Sequence, residues 1–399
     1  MPCTPRDELL SRAAALQRRL AAQDVDAALI LQNADMLYFT GSVQSGVCII
    51  PASGPPVYAV RRVLERAAGE SSLDRIVPLE NLRALPSLLS EAAGGPVRRV
   101  GMELDVVPVA VRDRFAGVLP DVEVVDASPA IRTVRSVKSE YELGKMREAA
   151  HLADLMVMTA LRSLREGMTE LELAAAVEAA ARRDGHQGII RIRGWNQEVY
   201  FGLILSGESA AVPSFPDFPL GGMGPTPAVP YGAGRRRIAA GEPVIVDYTA
   251  GVDGYLCDQT RTLVLGALPE KLARAHEAAL EILHRVEDGL RPGARPADLY
   301  LGAVAHAASL GYAEGFMGSG PYRARFIGHG VGVELDEWPV LAEGFSDPLE
   351  SGHVVCVEPK IVFPGEGAVG IEDMFAITPR GAARLTLTDQ RLLSALSAR

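Results

Sequence analysis

The sequence predicts an α/β N-terminal domain, residues 1–133, followed by an α+β domain, residues 134–399, that consists of two related halves. Strands and helices alternate along the first 130 or so residues, which is the pattern of an α/β domain. The later part shows twice an Arg-x-Gly turn, an Ala-rich helix and then a hairpin that carries acids. These copies are offset by about 125 residues, and such a repeat indicates two similar structural units.

The predicted elements of the N-terminal domain follow one another at short intervals. They are a helix at 7–22, a strand at 26–31, a turn at 38–41, strands at 46–50 and 57–60, a helix from about 61, a helix at 81–93, a strand at 99–102, a helix at 108–117 and a strand at 122–125. A long helix that opens at 137–140 and runs to about Leu164 then marks the domain boundary. Thr169 and Glu172 form a capping box that opens the next helix.

Composition and charge exclude several classes of protein. The net charge is −10 and there is no long run of Lys or Arg, so we expect no nucleic-acid partner. We expect no membrane association, because the N-terminus lacks a secretion-signal pattern and no stretch approaches the roughly 18 apolar residues that span a bilayer. The four cysteines are scattered, which predicts buried thiols in a reduced, cytoplasmic protein (Cys3, Cys48, Cys257 and Cys356).

Residues 244–262 are predicted to form a hairpin that carries two acids. Apolar and β-branched runs lie on either side of a Gly-Val-Asp-Gly turn, which is a hairpin signal. Centring the turn between Val252 and Asp253 places Asp247 directly opposite Asp258 on one face, with Cβ atoms about 5 Å apart. Two carboxylates so close repel each other unless a cation lies between them.

Residues 354–377 repeat this arrangement. Centring the turn on Gly365 places Glu358 opposite Glu372 in otherwise apolar strands. The Gly-flanked His329 offers an imidazole close to the backbone. Four carboxylates with one imidazole suit Mn²⁺, Co²⁺, Fe²⁺ or Zn²⁺ and are enough to hold two such ions. Two ions in one site can activate water at neutral pH and stabilise an oxyanion.

A long segment rich in Pro and Gly, residues 212–242, precedes the first hairpin. It is either a lid over the site or a solvated connector. Its position directly before the acid-bearing strand favours the lid.

The order of these motifs resembles the pita-bread metallopeptidase family, which includes methionine aminopeptidases, Xaa-Pro aminopeptidases, prolidases and creatinases. The motifs are Asp, ten residues, Asp, then Gly-His-Gly-x-Gly, Glu-Pro and Ile-Glu-Asp. The N-terminal part, with Tyr-Phe-Thr-Gly at 38–41, resembles the creatinase/prolidase-type N-terminal domain. The resemblance implies a dinuclear hydrolase acting on a small peptide or small molecule, and a homodimer. It implies that Asp247 and Asp258 hold one ion, that Asp258 and Glu372 bridge, and that His329 and Glu358 complete the other.

By the same resemblance Glu358 also handles protons, and two substrate-contacting histidines are expected. Here Ser214 and Asp336 stand in their places. An ionised Asp336 can only accept hydrogen bonds, so we expect it to act as a general base or to bind a cationic substrate group. We expect Ser214 and Arg261 to contact the substrate. His186 is either a loop histidine or a replacement for the histidine that is absent at 214.

Three functions remain open from the sequence. The first is a dinuclear Xaa-Pro aminopeptidase or dipeptidase with altered substrate contacts. The second is a non-peptidase metalloenzyme on the same fold, either a creatinase-like amidinohydrolase or a lyase that uses Asp336 as its base. The third is a non-catalytic binding module, against which the five retained metal ligands argue.

Overall fold

The computed structural model describes residues 4–395, and the chain divides into two compact units. The first comprises the residues up to Arg135 together with Arg193–Asn196. The second comprises Ser136–Ile192 and the residues from Gln197 onward. The segment Arg193–Asn196 belongs to the first unit because Arg193 forms ion pairs with Asp35 and Asp105, at 2.9 and 2.7 Å.

The first unit is a six-stranded sheet with helices, as the alternation of its elements predicts. Its helices are α1 (Arg6–Ala22), α2 (Asn33–Thr40), α3 (Leu64–Glu70), α4 (Leu85–Ala93), α5 (Val109–Ala116) and α6 (Ser128–Ser136). Its strands are β1 (Ala27–Ile30), β2 (Gly46–Pro51), β3 (Val57–Val60), β4 (Ile76–Pro78), β5 (Arg99–Met102) and β6 (Glu123–Asp126), in the order β4-β3-β2-β1-β5-β6. A short 3₁₀ helix, Leu82–Ala84, precedes α4. β1 is antiparallel to β2 and parallel to β5.

The prediction of a turn at 38–41 is wrong, because these residues end the helix α2. The Gln32 side chain accepts hydrogen bonds from the backbone N–H groups of Ala34 and Asp35 and so caps the start of the helix. Gly41 adopts φ +73° and ends it in the left-handed conformation. The glycine that suggested a turn is therefore a helix C-cap.

The second unit contains four long helices and most of the strands. The helices are α7 (Glu140–Ser163), α8 (Glu170–Arg183), α9 (Glu270–Gly289) and α10 (Pro296–Ser309). The strands are β7 (Gly202–Ser206), β8 (Pro243–Val252), β9 (Tyr255–Leu265), β10 (Phe326–Gly330), β11 (Glu337–Ala342), β12 (Val354–Val357), β13 (Lys360–Phe363), β14 (Gly367–Gly370), β15 (Asp373–Thr378), β16 (Gly381–Arg384) and β17 (Leu393–Ala395). Short 3₁₀ helices lie at Gly207–Ala211 and Gly320–Tyr322.

The two predicted halves are present in this unit. In the first half α7 and α8 precede a four-stranded sheet, β17-β9-β8-β7, and α7 packs against β8 and β9. In the second half α9 and α10 precede a five-stranded sheet, β11-β10-β12-β15-β16, with β13 and β14 as a separate pair. Each half therefore delivers a helix pair followed by the strands that carry the acids.

Both predicted helix starts in the first half are confirmed. Ser139 and Thr169 each form a capping box, with Glu142 and Glu172 respectively. These boxes satisfy backbone donors that the first turn of a helix would otherwise leave unpaired.

Residues 212–242, all of them described, contain neither a helix nor a strand of the sheets. Backbone hydrogen bonds from Gly222 to Val212 and from Gly232 to Gly221 fold this segment back on itself. Elsewhere in the core, Cys48, Cys257 and Cys356 are buried free thiols, as predicted, whereas Cys3 lies outside the described residues. Within residues 4–395 none of the helices combines the length and apolar character needed to cross a bilayer.

Candidate metal centre

The first acid-bearing hairpin, β8-β9, forms with a register two residues away from the predicted one. Asp247 lies opposite Thr260, and Asp258 lies opposite Thr249. The reason is the turn: Asp253 and Gly254 both have positive φ, +50° and +92°, which is the geometry of a two-residue type I′ turn. Because the shift is even, both acids still lie on one face, as diagonal neighbours and not as a directly opposed pair.

The second hairpin has the predicted register. Lys360 pairs with Gly370 and Phe363 with Gly367 in β13-β14, and Val357 pairs with Asp373 in β12-β15. Glu358 and Glu372 lie in the short gap between these two ladders. The register on both sides of the gap places them opposite each other.

The five predicted metal ligands converge in this region, and three of them form a tight group. Potential ligand atoms of Asp258, His329 and Glu372, all buried, lie within 4.8 Å of one another. His329 Nε2 is 3.7 Å from an oxygen of Glu358 and 3.7 Å from Glu372 Oε1. Its Nδ1 is 3.0 Å from the Gly330 carbonyl, which accepts a hydrogen bond from Nδ1–H, so Nε2 is the ring nitrogen that faces the acids.

Lys360 is a member of this cluster that the sequence analysis did not identify. Its Nζ is 2.6 Å from Glu358 Oε2, 3.0 Å from Glu372 Oε2 and 3.4 Å from Asp247 Oδ2. The signal was available, because Lys360 has the same strand parity as Glu358 and is a charged residue in an apolar strand.

The electrostatics of the cluster favour a cation. Burial, followed by the charges of Glu372 and Asp247, raises the pKa of Asp258 well above its ordinary value. Burial also raises the pKa of Glu358 to about 7, against the influence of Lys360. For Glu372 the effect of burial is outweighed by Lys360 and His329, which lower its pKa to about 2. Glu372 is therefore the acid that remains ionised most readily.

Asp336 lies at the edge of this cluster. Its Oδ1 is 3.3 Å from His329 Nδ1, and its side chain is 38% exposed. Its backbone has φ +61°, a conformation that Asp adopts more readily than most residues. The carboxylate therefore reaches both solvent and the outer nitrogen of His329.

The two expected substrate contacts lie elsewhere. The Ser214 hydroxyl donates to the Pro230 carbonyl at 2.6 Å, and Ser214 lines a neighbouring cavity of about 340 Å³. Arg261 is 0% exposed and makes five hydrogen bonds, among them one of 2.6 Å to Asp373 and one of 2.8 Å to the Glu372 carbonyl. The expectation that Arg261 contacts substrate is therefore corrected, because all five hydrogen bonds of its guanidinium go to other parts of the protein, within β9 and at residues 372–389.

His186 is a structural histidine. Its Nδ1 accepts from the Gly188 N–H at 2.9 Å, so its Nε2–H donates to the Thr249 carbonyl at 3.1 Å. Both ring nitrogens are thus bonded to backbone atoms, Nδ1 within its own loop and Nε2 in β8. It does not take the place of the histidine expected at 214.

A small cavity of about 60 Å³ opens onto the cluster. Its walls combine the acids with apolar side chains, chiefly Leu203, Phe218, Leu220, Tyr231, Phe326 and Leu335. Phe218 and Pro219, from the 212–242 segment, line both this cavity and the larger one beside it. The segment thus forms part of the wall around the acids.

Comparison with models of known protein families shows which family the chain belongs to. Residues 144–379 match the model of metallopeptidase family M24, and residues 12–137 match the creatinase/prolidase N-terminal domain. The chain belongs to metallopeptidase family M24. The predicted family is thereby confirmed, and the two matches together account for most of the chain.

Relatives of this M24 protein include named peptidases that it matches over nearly their whole length. The Xaa-Pro dipeptidase of Pyrococcus horikoshii is 29% identical over 371 residues, covering 92% of this chain and 95% of that protein. The prolidase structure from Pyrococcus horikoshii OT3 superimposes with a TM-score of 0.79 at 27% identity, covering 95% of this chain and 99% of that one. The structure of an Xaa-Pro dipeptidase from Bacillus anthracis, at 24% identity, gives a TM-score of 0.82 over 97% of this chain and 99% of that one, and it supports the fold alone. The predicted fold class is confirmed.

The residues present fit a divalent ion, which is the cofactor that a metallopeptidase uses. Two carboxylates and one imidazole with its Nε2 directed inward form a donor set suited to such ions. Among residues 4–395, Glu372 Oε1 is a buried oxygen that has no hydrogen-bond partner. A buried carboxylate oxygen left unpaired is costly, and a metal ligand bond would satisfy it.

Proposed function

We propose that this M24 protein is a metal-dependent peptidase that hydrolyses the bond before proline in dipeptides or other short peptides. The observation that carries the proposal is the buried group of Asp258, His329 and Glu372, with its unpaired oxygen, at the base of an apolar cavity. Its relatives that are named Xaa-Pro dipeptidase or prolidase support the substrate class.

The acids and the histidine at the cavity bind the metal ion, and one of the acids also transfers a proton. We assign Asp247, Asp258, His329, Glu358 and Glu372 as the residues available to hold a divalent ion. A divalent ion supplies Lewis-acid chemistry and makes water more acidic. Glu358 takes a proton from the attacking water and delivers it to the leaving nitrogen, because it is a buried carboxylate that lines the cavity above the acids.

The remaining residues orient the substrate and control water. The partly exposed carboxylate of Asp336 attracts the ammonium group of a short peptide, which brings the first peptide bond toward the acids. Phe218, Leu220 and Tyr231, from the 212–242 segment, close the apolar side and limit the access of bulk water. We propose that this segment is the lid predicted from the sequence, and that Ser214 lines the adjoining space.

The experiment is to measure proline release from a panel of Xaa-Pro dipeptides and longer Xaa-Pro peptides. Metal-stripped protein is refilled separately with Mn²⁺, Co²⁺, Zn²⁺ or Fe²⁺, and the same peptides with Ala in place of Pro serve as the matched control. We expect turnover of about one per second or faster with at least one ion. No turnover by protein that has bound the ions would reject the peptidase proposal.

A second candidate function is favoured by one observation. Asp336 occupies a position where a substrate histidine is expected, and its carboxylate lies 3.3 Å from His329 Nδ1. A base at that point suits a creatinase-like amidinohydrolase or a lyase better than it suits the stabilisation of a peptide oxyanion. If the peptide panel fails, amidino compounds and lyase substrates are the panel to test next.

Several further properties follow the same proposal. We propose Mn²⁺, Co²⁺, Fe²⁺ or Zn²⁺ as the ion. The five ligands are enough for the two ions that the sequence predicts, although Lys360 competes for part of the same carboxylate set. We propose a creatinase/prolidase-like domain at 1–133, a catalytic domain at 134–399, a homodimer, and residence in the cytoplasm, which the buried free cysteines support.

A further inference from the structure

Lys360 makes the contacts that a cation would make in this centre. Its Nζ is surrounded by oxygens of Glu358, Glu372 and Asp247 at 2.6, 3.0 and 3.4 Å. An ammonium group has three donors, of which two are hydrogen-bonded to Glu358 and Glu372, and Asp247 completes the set as an ion-pair partner. These oxygens belong to three of the five predicted metal ligands, and one of the three, Glu372, also belongs to the tight ligand group.

The Lys360 side chain is built into this position. Lys360 is 1% exposed and extends from β13, directly opposite Gly370 in β14. A Cβ at Gly370 would lie 2.6 Å from Lys360 Cγ, so only a glycine there leaves room for the lysine stem. A buried ammonium also needs carboxylate partners, because desolvating an unpaired charge costs several kcal/mol or more.

The two oxygens of Glu372 divide the cluster into two sides. Oε2 accepts from Lys360 and from the Thr260 hydroxyl, at 3.0 and 2.9 Å. Oε1, the unpaired oxygen, lies 3.7 Å from His329 Nε2. One side of the carboxylate is therefore already bonded to a cation, and the other side is directed toward the imidazole.

We propose that the Lys360 ammonium takes the place of a second metal ion, so that the centre holds one divalent ion, on Asp258, His329 and Glu372. Asp247 and Glu358 then pair mainly with the ammonium. This deepens the proposed function and rests on its metal-binding part. It also departs from the two ions that the resemblance implies, since a divalent ion and an ammonium cannot share the same three oxygens.

The proposal separates two roles that a pair of ions would share. The single ion lies on the side of His329, beneath the cavity. Lys360 is part of the chain, so a metal chelator does not remove it. Its ammonium group neutralises Asp247 and Glu358 and holds Glu358 Oε2 in place. The centre should therefore need only one equivalent of metal, and removal of metal should leave Asp247 and Glu358 paired.

The test counts ions in the full-length protein. Metal-stripped protein is equilibrated with excess Mn²⁺, freed of unbound ion and analysed for manganese per chain, with the Mn²⁺ electron paramagnetic resonance spectrum as a second readout. We expect one ion per chain and the six-line spectrum of an isolated Mn²⁺. The Lys360→Ala variant should bind two ions and give a spin-coupled spectrum, because removing the ammonium frees three carboxylates.

Two variants serve as controls. Lys360→Arg retains a cation and should stay at one ion. Lys138→Ala removes another buried lysine, whose Nζ lies 3.1 Å from Glu337, and should also stay at one ion. Two ions in the unmodified protein would overturn this inference and leave the proposed function intact, whereas no ion would overturn both. A folded Lys360→Ala variant that still binds one ion would also overturn it, and if that variant does not fold, the count and spectrum of the unmodified protein decide.

Discussion

Thr260 and Glu372 join the two acid-bearing hairpins to each other. Their backbones exchange two hydrogen bonds, of 3.3 and 3.1 Å, and the Thr260 hydroxyl donates to Glu372 Oε2 at 2.9 Å. This isolated bridge links β9 of the first half to the strand gap of the second. The carboxylate that faces both Lys360 and His329 is thus fixed by a residue from the other half of the repeat.

Replacing Thr260 with Val should weaken metal binding without unfolding the protein. The substitution removes the hydroxyl that orients Glu372, and loss of such a supporting contact typically costs about 10–100-fold in metal affinity. Thr262→Val is the matched control, since the Thr262 hydroxyl bonds to the Gly370 backbone at 2.7 and 3.0 Å. Calorimetric titration with Mn²⁺ measures both variants. Equal affinities for the two variants would contradict the supporting role of Thr260.

Arg261 should matter for stability more than for substrate affinity. Arg261→Met leaves Asp373 without its 2.6 Å partner, and removing one member of a buried pair costs about 3–5 kcal/mol of unfolding free energy. Arg384→Met is the control, because Arg384 lies 3.7 Å from the same acid but is 30% exposed, and it should cost about 1 kcal/mol or less. Urea unfolding measures the difference. A raised KM with unchanged stability would instead restore Arg261 as a substrate contact.

Asp336→Asn should raise KM and leave kcat nearly unchanged if the carboxylate attracts the substrate ammonium group, as the proposed function has it, whereas it should lower kcat by about 100-fold or more if the carboxylate is the base of the second candidate function. Asparagine tolerates the same positive φ, so the backbone should be kept. Asp253→Asn makes the same change at another positive-φ position, in the exposed hairpin turn, and should leave kcat unaltered. An effect on KM alone would assign Asp336 to binding the substrate ammonium.

His353 should make folding sensitive to mild acid. Burial and the nearby Lys138 lower its pKa to about 4, and its Nδ1 accepts from the Glu350 N–H at 3.1 Å. A histidine with a depressed folded-state pKa stabilises the protein fully above about pH 6.5, and this stabilisation is lost as the pH falls toward 4. The difference amounts to about 3 kcal/mol.

The matched variant is His353→Asn, whose side-chain oxygen can accept from the same N–H but does not titrate. Unfolding free energies of both proteins are measured from pH 7.5 to pH 4. We expect the unmodified protein to lose about 3 kcal/mol more than the variant over this range. Parallel curves would show that His353 does not carry the acid sensitivity.

The sequence predicts the fold well where local chemistry and long-range pairing agree. The helix start at 137–140, the capping box at Thr169 and the register around Gly365 are correct, because each depends on a few neighbouring residues. The register of the first hairpin is wrong by two because Asp253 and Gly254, not Val252 and Asp253, occupy the turn. The faces of Asp247 and Asp258 are nevertheless correct, since a shift of two residues preserves strand parity.

Other features of the site depend on contacts between residues that are far apart in the sequence, which a local sequence pattern does not predict. Arg261 lies in the ligand strand β9, shortly after Asp258, which suggests a substrate contact. Four of its five hydrogen bonds nevertheless go to residues 372–389, far along the chain. Ser214 was expected to contact the substrate, but its hydroxyl donates a hydrogen bond to the Pro230 carbonyl within the 212–242 segment. Lys360 could have been found from its parity and from the glycine opposite it, because a buried lysine needs acids nearby.

The central claim is that this carboxylate and imidazole cluster is a metal centre that drives hydrolysis. The most direct measurement is proline release from an Xaa-Pro dipeptide while Mn²⁺ is added stepwise to metal-stripped protein, with Asp258→Asn in parallel. We expect the rate of proline release to rise to a plateau at one ion per chain in the unmodified protein, and we expect no release by the variant. Release that is equally fast in the stripped protein or in Asp258→Asn would contradict the central claim.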